Sequence, residues 1–241
     1  MKLIKLFRGD ISQRTLTRYF VPAILGIFLF FLFLSYLLEP LNVSYPYDWT
    51  TSTISRLGWP HENVVGWIFF SLAFIFLGIF TLPLVSYYSR KFRSLNKRWA
   101  RILSIMLFLT CIGLFLLGTI PNFNMDKIFF IIHMVNAFLS FIGLYTMSII
   151  IGVLIIRNKT QGIVSRKFVV TYAVLLVYGF LALILMVLVN PQKGIWYYVH
   201  DRATPLLLSI PFWEWQAFLI GVFLGFAPIY ISFKRPNLKS E

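Results

Sequence analysis

The amino-acid sequence predicts an all-α integral membrane protein that folds as a bundle of six transmembrane helices. Hydrophobic residues make up 59% of the 241 positions and charged residues 12%, with 26 phenylalanines and a mean hydropathy of +0.81. These values exceed what a soluble core of this length needs. Six apolar runs are each long enough to cross a hydrocarbon layer about 30 Å thick, which takes about 20 residues of helix.

The six runs follow one another with short connections, so we expect a single membrane domain over residues 1–241. The first run follows a basic tail, residues 1–18, and lacks a small-residue cleavage site, which favours an uncleaved anchor. Residues 234–241 form a second short tail. The runs lie near residues 19–38, 64–88, 102–121, 128–156, 168–190 and 211–233.

Basic residues alternate in density between successive loops, as expected when positively charged loops stay in the cytoplasm. All but four of the 22 Lys and Arg residues lie in the two tails and in the loops after the second and fourth runs. The four on the other side are Arg56, Lys127, Lys193 and Arg202. The pattern predicts that both termini are cytoplasmic. The same pattern explains the net charge of +14 by the orientation of the loops and by contacts with lipid headgroups, and not by nucleic-acid binding.

The residues that can carry chemistry gather on the opposite, extracytoplasmic side. All three histidines and six of the eight carboxylates fall there: His61, His133, His200, Glu39, Asp48, Glu62, Asp126, Asp201 and Glu214. The remaining parts of the spans are almost purely hydrocarbon. Any ligand site or catalytic centre is therefore expected on this side of the bundle.

The loop between the first two spans, from Glu39 to Asn63, is predicted to form an ordered extracytoplasmic cap. It is longer than a minimal connection and rich in Ser and Thr, whose side chains hydrogen-bond to nearby backbone groups. Gly58 is expected to allow a left-handed turn, and Trp59 and Trp67 suit the headgroup region. The alternative is a plain linker between two spans.

In the fourth span, His133, Asn136 and Ser140 are spaced so that they share one helical face. His133 follows the polar corner 121–127 and lies up to roughly 10 Å along a helix that rises about 1.5 Å per residue. A charged group without a partner is costly at that depth, which predicts a partner or a neutral state. His133 is interpreted either as a neutral histidine with one structural hydrogen bond or as part of a site.

Glu214 opens the sixth span, three residues after Pro211. Proline suits the first turn of a helix, and the helix dipole stabilises a carboxylate there, so a structural role is sufficient to explain Glu214. The functional alternative is that Glu214 reaches His133. Such a pair could move protons, orient a lipid headgroup or help to hold a metal.

Three short patches resemble the DRAM/FRAG/Sfk family of six-span membrane proteins and a related prokaryotic family known as domain of unknown function 998. They are Ile54-Ser55-Arg56-Leu57-Gly58, Asn122-Phe123 followed by His133, and Glu214-Trp215. The resemblance implies a six-helix bundle and a link to autophagy regulation, lipid-anchor remodelling or membrane lipid organisation, without an agreed reaction. Arg56 departs from the family, which commonly has an acidic residue there.

The leading hypothesis is a membrane factor that binds or organises lipid in an extracytoplasmic polar pocket, without a cofactor or a bound metal. The pocket residues are Ser55, Gly58, Asn122, His133, Asn136, Glu214 and Trp215, with Asp126, His200 and Asp201 as secondary candidates. The expected partners are membrane lipids, and an oligomer with itself or another chain is left open. In a prokaryote the location would be the cell membrane.

Two other functional classes remain open. A membrane lipid hydrolase or acyltransferase would use the histidines and carboxylates for acid–base or metal chemistry. A proton-coupled transporter would depend on Glu214, although no persuasive inverted repeat is visible. Every lysine lies in a loop or tail, which excludes a retinal attachment site in the bundle. Motifs typical of zinc proteases, nucleotidases and serine lipases are absent from the sequence.

Overall fold

The computed structural model describes residues 7–39, 52–120, 127–158, 165–188 and 210–231. Within these ranges the chain is helical, and six helices are long and apolar enough to cross a membrane, which confirms the predicted all-α class and the six spans. We label them α1 (Gln13–Leu38), α2 (Gly66–Arg93), α3 (Lys97–Thr119), α4 (Lys127–Asn158), α5 (Arg166–Leu188) and α6 (Ile210–Phe226). Residues 1–6 and the tail 234–241 lie outside the described residues.

The boundaries of α2 and α3 extend beyond the apolar runs that predicted them. Helix α2 continues to Arg93 and α3 already begins at Lys97, which leaves a connection of three residues. Lys and Arg are good helix formers, so basic residues at a membrane boundary continue a helix that hydropathy alone would end. Asn96 caps α3, because its side-chain oxygen accepts a hydrogen bond from the Trp99 N–H at 3.0 Å.

Glycines allow close approach between neighbouring helices. A Cβ atom on Gly78 of α2 would lie 2.8 Å from the Cys111 carbonyl oxygen of α3, and one on Gly118 of α3 would lie 2.5 Å from the Ser71 carbonyl oxygen of α2. A Cβ atom on Gly113 of α3 would come similarly close to the Ser140 hydroxyl oxygen of α4. Small residues at these positions let the backbones pack tightly, as is common between membrane helices.

The six helices contribute unequally to the interior. Within an apolar stretch of 18 residues in each helix, 56% is buried in α4 and in α6, whereas 17% is buried in α5. Helix α5 therefore lies at the edge of the bundle. The interior is built mainly from α2, α3, α4 and α6, and these four helices surround the site described below.

The C-terminal end of α6 continues into a short 3-10 helix, Ala227–Tyr230, and side chains from α2 bind both. Tyr88 donates a hydrogen bond to the Gly225 carbonyl oxygen at 2.6 Å. The Lys91 ammonium donates to the carbonyl oxygens of Pro228 and Ile229 at 2.9 and 3.1 Å. We call these contacts the α2–α6 clamp, and they join helices that are far apart in sequence.

Candidate functional site

The described part of the first long loop, residues 52–65, is attached to the end of α1 by a buried group of charges. Arg56 forms ion pairs with Glu39 at 3.1 Å and with Glu62 at 2.6 Å, and it donates a hydrogen bond to Ser52 at 2.7 Å. Arg56 is 3% exposed and Glu39 is fully buried. Arg56 thus binds the 52–65 segment to the bundle.

A second attachment of the 52–65 segment uses Asn63. Its side-chain amide donates hydrogen bonds to the Leu57 carbonyl oxygen at 2.8 Å and to the Ser35 carbonyl oxygen at 3.2 Å. The Ser35 hydroxyl also donates to the Leu57 carbonyl oxygen, at 3.3 Å. These bonds satisfy buried polar groups and hold the short 3-10 helix Ile54–Gly58 against α1.

Gly58 has a role different from the one expected. The prediction of a left-handed turn at this residue is wrong, because within the described residues positive φ occurs at Gly9, at 69°, and not at Gly58. The reason for glycine is space: a Cβ atom at Gly58 would lie 2.5 Å from two ring carbons of Phe70. Gly58 therefore lets the 52–65 segment lie directly on α2.

Ser55 joins His133 to Glu214. Its hydroxyl oxygen lies 3.1 Å from His133 Nε2 and 3.5 Å from Glu214 Oε1. The carboxyl group of Glu214 also accepts hydrogen bonds from the backbone N–H groups of Ile54 and Ser55. The connection between the histidine and the carboxylate, which the functional alternative for Glu214 described as a pair, thus runs through a third residue from the loop.

The charge state of Glu214 sets the direction of these hydrogen bonds. An ionised carboxylate only accepts, so with Glu214 ionised the Ser55 hydroxyl donates to Glu214 and His133 Nε2–H donates to Ser55. His133 then carries its proton on Nε2, and Nδ1 is a hydrogen-bond acceptor. This nitrogen is buried and has no hydrogen-bond partner among the described residues.

A cavity of about 60 Å³ begins at these three side chains and continues between α2, α3, α4 and α6. On α2 its lining runs from Phe70 to Thr81, eleven residues apart, or roughly 16 Å at about 1.5 Å per residue. Most of the wall is apolar and includes Phe74, Leu107, Leu114, Phe141, Phe218 and Val222. The cavity is a narrow apolar space with a polar group of three side chains at one end.

The other predicted site residues lie next to the cavity or outside the described residues. Gly58 supports the wall residue Phe70, Asn136 is buried one turn beyond His133 on α4, and Trp215 is partly buried against the core. The Asn136 side-chain nitrogen has no hydrogen-bond partner in the described part of the chain. The residues that cannot be placed are Asn122, Asp126, His200 and Asp201.

The sequence analysis did not predict the part of the cavity that lies away from Ser55. Thr81 and Thr110 lie on its wall, and the hydroxyl of Thr81 is buried without a hydrogen-bond partner within the described residues. A single threonine in an apolar span gives no signal, because every face of such a span is apolar and the inward face cannot be recognised. Within the same residues, no group of three or more His, Cys, Asp or Glu side chains could hold a metal ion.

The six apolar helices and the mostly apolar cavity between them define a multi-pass membrane protein of the helical-bundle class. Residues 24–200 match the family described as protein of unknown function (DUF998), and the chain belongs to this family. The matched region contains Ser55 and His133 and ends before Glu214. No curated protein and no solved structure matches the chain.

Proposed function

We propose that this protein binds a membrane lipid, with one hydrocarbon chain in the cavity and the headgroup beside Ser55, His133 and Glu214. The observation that carries the proposal is the cavity itself, which is apolar along its length and polar at one end. An amphipathic ligand matches that distribution, whereas a small polar solute would leave most of the wall without a favourable contact. The sequence resemblance to DRAM/FRAG/Sfk proteins implies a link to membrane lipid organisation, among other roles, which agrees with this proposal.

The proposal includes an orientation in the membrane. The positively charged tails and the loops after α2 and α4 support a cytoplasmic location for both termini. The 52–65 segment and the polar end of the cavity then face the extracytoplasmic leaflet, and the α2–α6 clamp lies at the cytoplasmic end. Cysteine accessibility tests this orientation: a Cys at position 61 should react with an impermeant maleimide in intact cells, and one at position 97 should not.

Lipid that co-purifies with the protein provides the direct test. We expect mass spectrometry of the native protein to find a stoichiometric lipid, which Val222→Phe displaces because the added ring fills the cavity. Leu219→Phe is the matched control, since Leu219 is exposed on the outer face of the same helix. Equal lipid content in the wild type and both variants would contradict the proposal.

The polar end is tested separately. His133→Ala removes a partner of the Ser55 hydroxyl, and Glu214→Gln replaces the carboxyl group beside it by an amide, so both should lower lipid retention while helix content and the monomer–oligomer profile stay unchanged. Retention equal to the wild type in both variants would show that the headgroup does not lie at these residues. Circular dichroism and size-exclusion chromatography of the same samples identify a variant that has simply failed to fold.

A second candidate function is ester hydrolysis or acyl transfer at Ser55. The 3.1 Å between its hydroxyl oxygen and His133 Nε2 is within the range required of a nucleophile and its base. It ranks second because the N–H groups of Ile54 and Ser55, which would suit an oxyanion, already bind Glu214. Labelling by a fluorophosphonate that is lost in Ser55→Ala would support it, and an unlabelled wild-type protein would remove it.

A further inference from the structure

We infer that the cavity selects single-chain lipids whose headgroup donates hydrogen bonds and carries no negative charge, such as monoacylglycerols or long-chain amines. The inference rests on the proposed lipid-binding function and adds the chemical class of the ligand. Three properties of the site carry it: the hydrogen-bonding character of its polar end, the charge of its lining, and its width.

The polar end offers hydrogen-bond acceptors. Glu214 contributes carboxyl oxygens. His133 lines the cavity and is 3% exposed, and its Nδ1 atom has no hydrogen-bond partner among the described residues. When His133 Nε2 donates to Ser55, Nδ1 can only accept. A ligand group that donates hydrogen bonds can satisfy both residues, and doing so removes the free-energy cost of a buried unpaired acceptor.

The charge of the lining disfavours an anion. Glu214 is the acidic residue among the described lining residues, and no Lys or Arg is present in that set. Arg56 lies next to Ser55 in the chain, but its guanidinium binds Glu39 and Glu62. A carboxylate or phosphate headgroup would therefore lie beside an acidic side chain in an apolar surrounding without a compensating cation, which is strongly unfavourable.

The width of the cavity indicates one hydrocarbon chain. Its volume of about 60 Å³ is spread over roughly 16 Å, the distance estimated from the helical rise between Phe70 and Thr81. A space so narrow for its length does not admit two hydrocarbon chains side by side. The cavity is thus one chain wide, and a two-chain lipid would have to leave its second chain outside the bundle.

Four ligands with the same 14-carbon chain test the headgroup preference. We would measure displacement of a fluorescent single-chain lipid from the full-length protein in nanodiscs by monomyristoylglycerol, tetradecylamine, myristate and myristoyl lysophosphatidate. The two anions should bind at least about tenfold more weakly than the better of the two non-anionic lipids, a difference of about 1.4 kcal/mol. A comparison of monomyristoylglycerol with tetradecylamine shows whether the site prefers a hydroxyl or an ammonium group as the hydrogen-bond donor.

Glu214→Gln provides the variant test, since the amide keeps the shape of the side chain and removes its negative charge. Myristate should gain affinity relative to monomyristoylglycerol, so the ratio of their Kd values should approach one. Myristate or lysophosphatidate binding to the wild type as tightly as the non-anionic lipids would overturn the inference, whatever the variant does. If none of the four ligands binds and Val222→Phe leaves the co-purified lipid unchanged, the proposed lipid-binding function itself fails.

Discussion

At the scale of single residues, the ion pairs of Arg56 decide how firmly the 52–65 segment is held. Both carboxylates that it binds are largely removed from solvent, at 0% and 16% exposure. A carboxylate that loses its cation in such a place keeps its desolvation penalty and loses the compensating attraction. The whole cluster is therefore more sensitive to loss of the arginine than to a change that preserves its charge.

We expect Arg56→Met to lower the free energy of unfolding by about 3–5 kcal/mol, because the buried Glu39 and the partly buried Glu62 both lose an ion pair. Arg56→Lys should lose less, since it keeps the charge but not the two-pronged geometry. Thermal unfolding in a fixed detergent measures both variants. Arg56→Met as stable as the wild type would show that Glu39 and Glu62 find other partners.

Gly58→Ala tests the steric role of this glycine. The new Cβ would overlap the Phe70 ring, and relieving the overlap should cost about 1–3 kcal/mol of unfolding free energy. Because Phe70 lines the cavity, the variant should also retain less lipid. Gly26→Ala is the control, since a Cβ at Gly26 meets nothing within 4 Å and should leave both measurements nearly unchanged. Equal effects in the two variants would contradict the steric explanation.

At the scale of helices, the α2–α6 clamp fixes the distance between two walls of the cavity at the end away from Ser55. Lys91 and Tyr88 come from the last turns of α2, and their acceptors are carbonyl groups at the end of α6 and in the short helix after it. Carbonyl groups at a helix end lack partners within the helix, so these side chains supply them. The clamp therefore stabilises helix ends and joins the two helices at once.

Lys91→Met should cost about 1.5–3 kcal/mol, the usual contribution of a hydrogen bond from a charged group. Its effect should be greater than that of Lys97→Met, the same change at an exposed residue that begins α3. Limited proteolysis near the end of α6 and thermal unfolding both measure the result. If the two variants behave alike, the clamp contributes nothing to stability.

At the scale of the whole molecule, a bound lipid should stabilise the folded bundle. A ligand that binds only the folded state at about 100 times its Kd adds about 2.7 kcal/mol to the free energy of unfolding. We expect monomyristoylglycerol to raise the Tm of delipidated protein in a concentration-dependent way, and to have no such effect on Val222→Phe. A rise of the same size in both proteins would mean that the lipid acts on the outer surface.

Local features of the sequence were sufficient to predict the class, the number of spans and the family. The first two depend on the length of apolar runs, and the third on short sequence patches, which can be recognised without knowing the fold. The sequence also identified His133 and Glu214 as residues of interest, through their polar character in an apolar chain, and Ser55 through the family resemblance. The helix boundaries were less predictable, because basic residues extend α2 and α3 past the hydrocarbon limit.

How those residues meet depends on tertiary packing. Ser55 and Glu214 are 159 positions apart, and the loop serine that connects His133 to the carboxylate could not be anticipated from spacing. The same holds for Gly58, whose role depends on a ring of α2, and for the threonines of the cavity wall. Spans that are apolar on every face carry no periodic signal for their inward side, so the packing of the helices, and not their sequence pattern, defines the cavity.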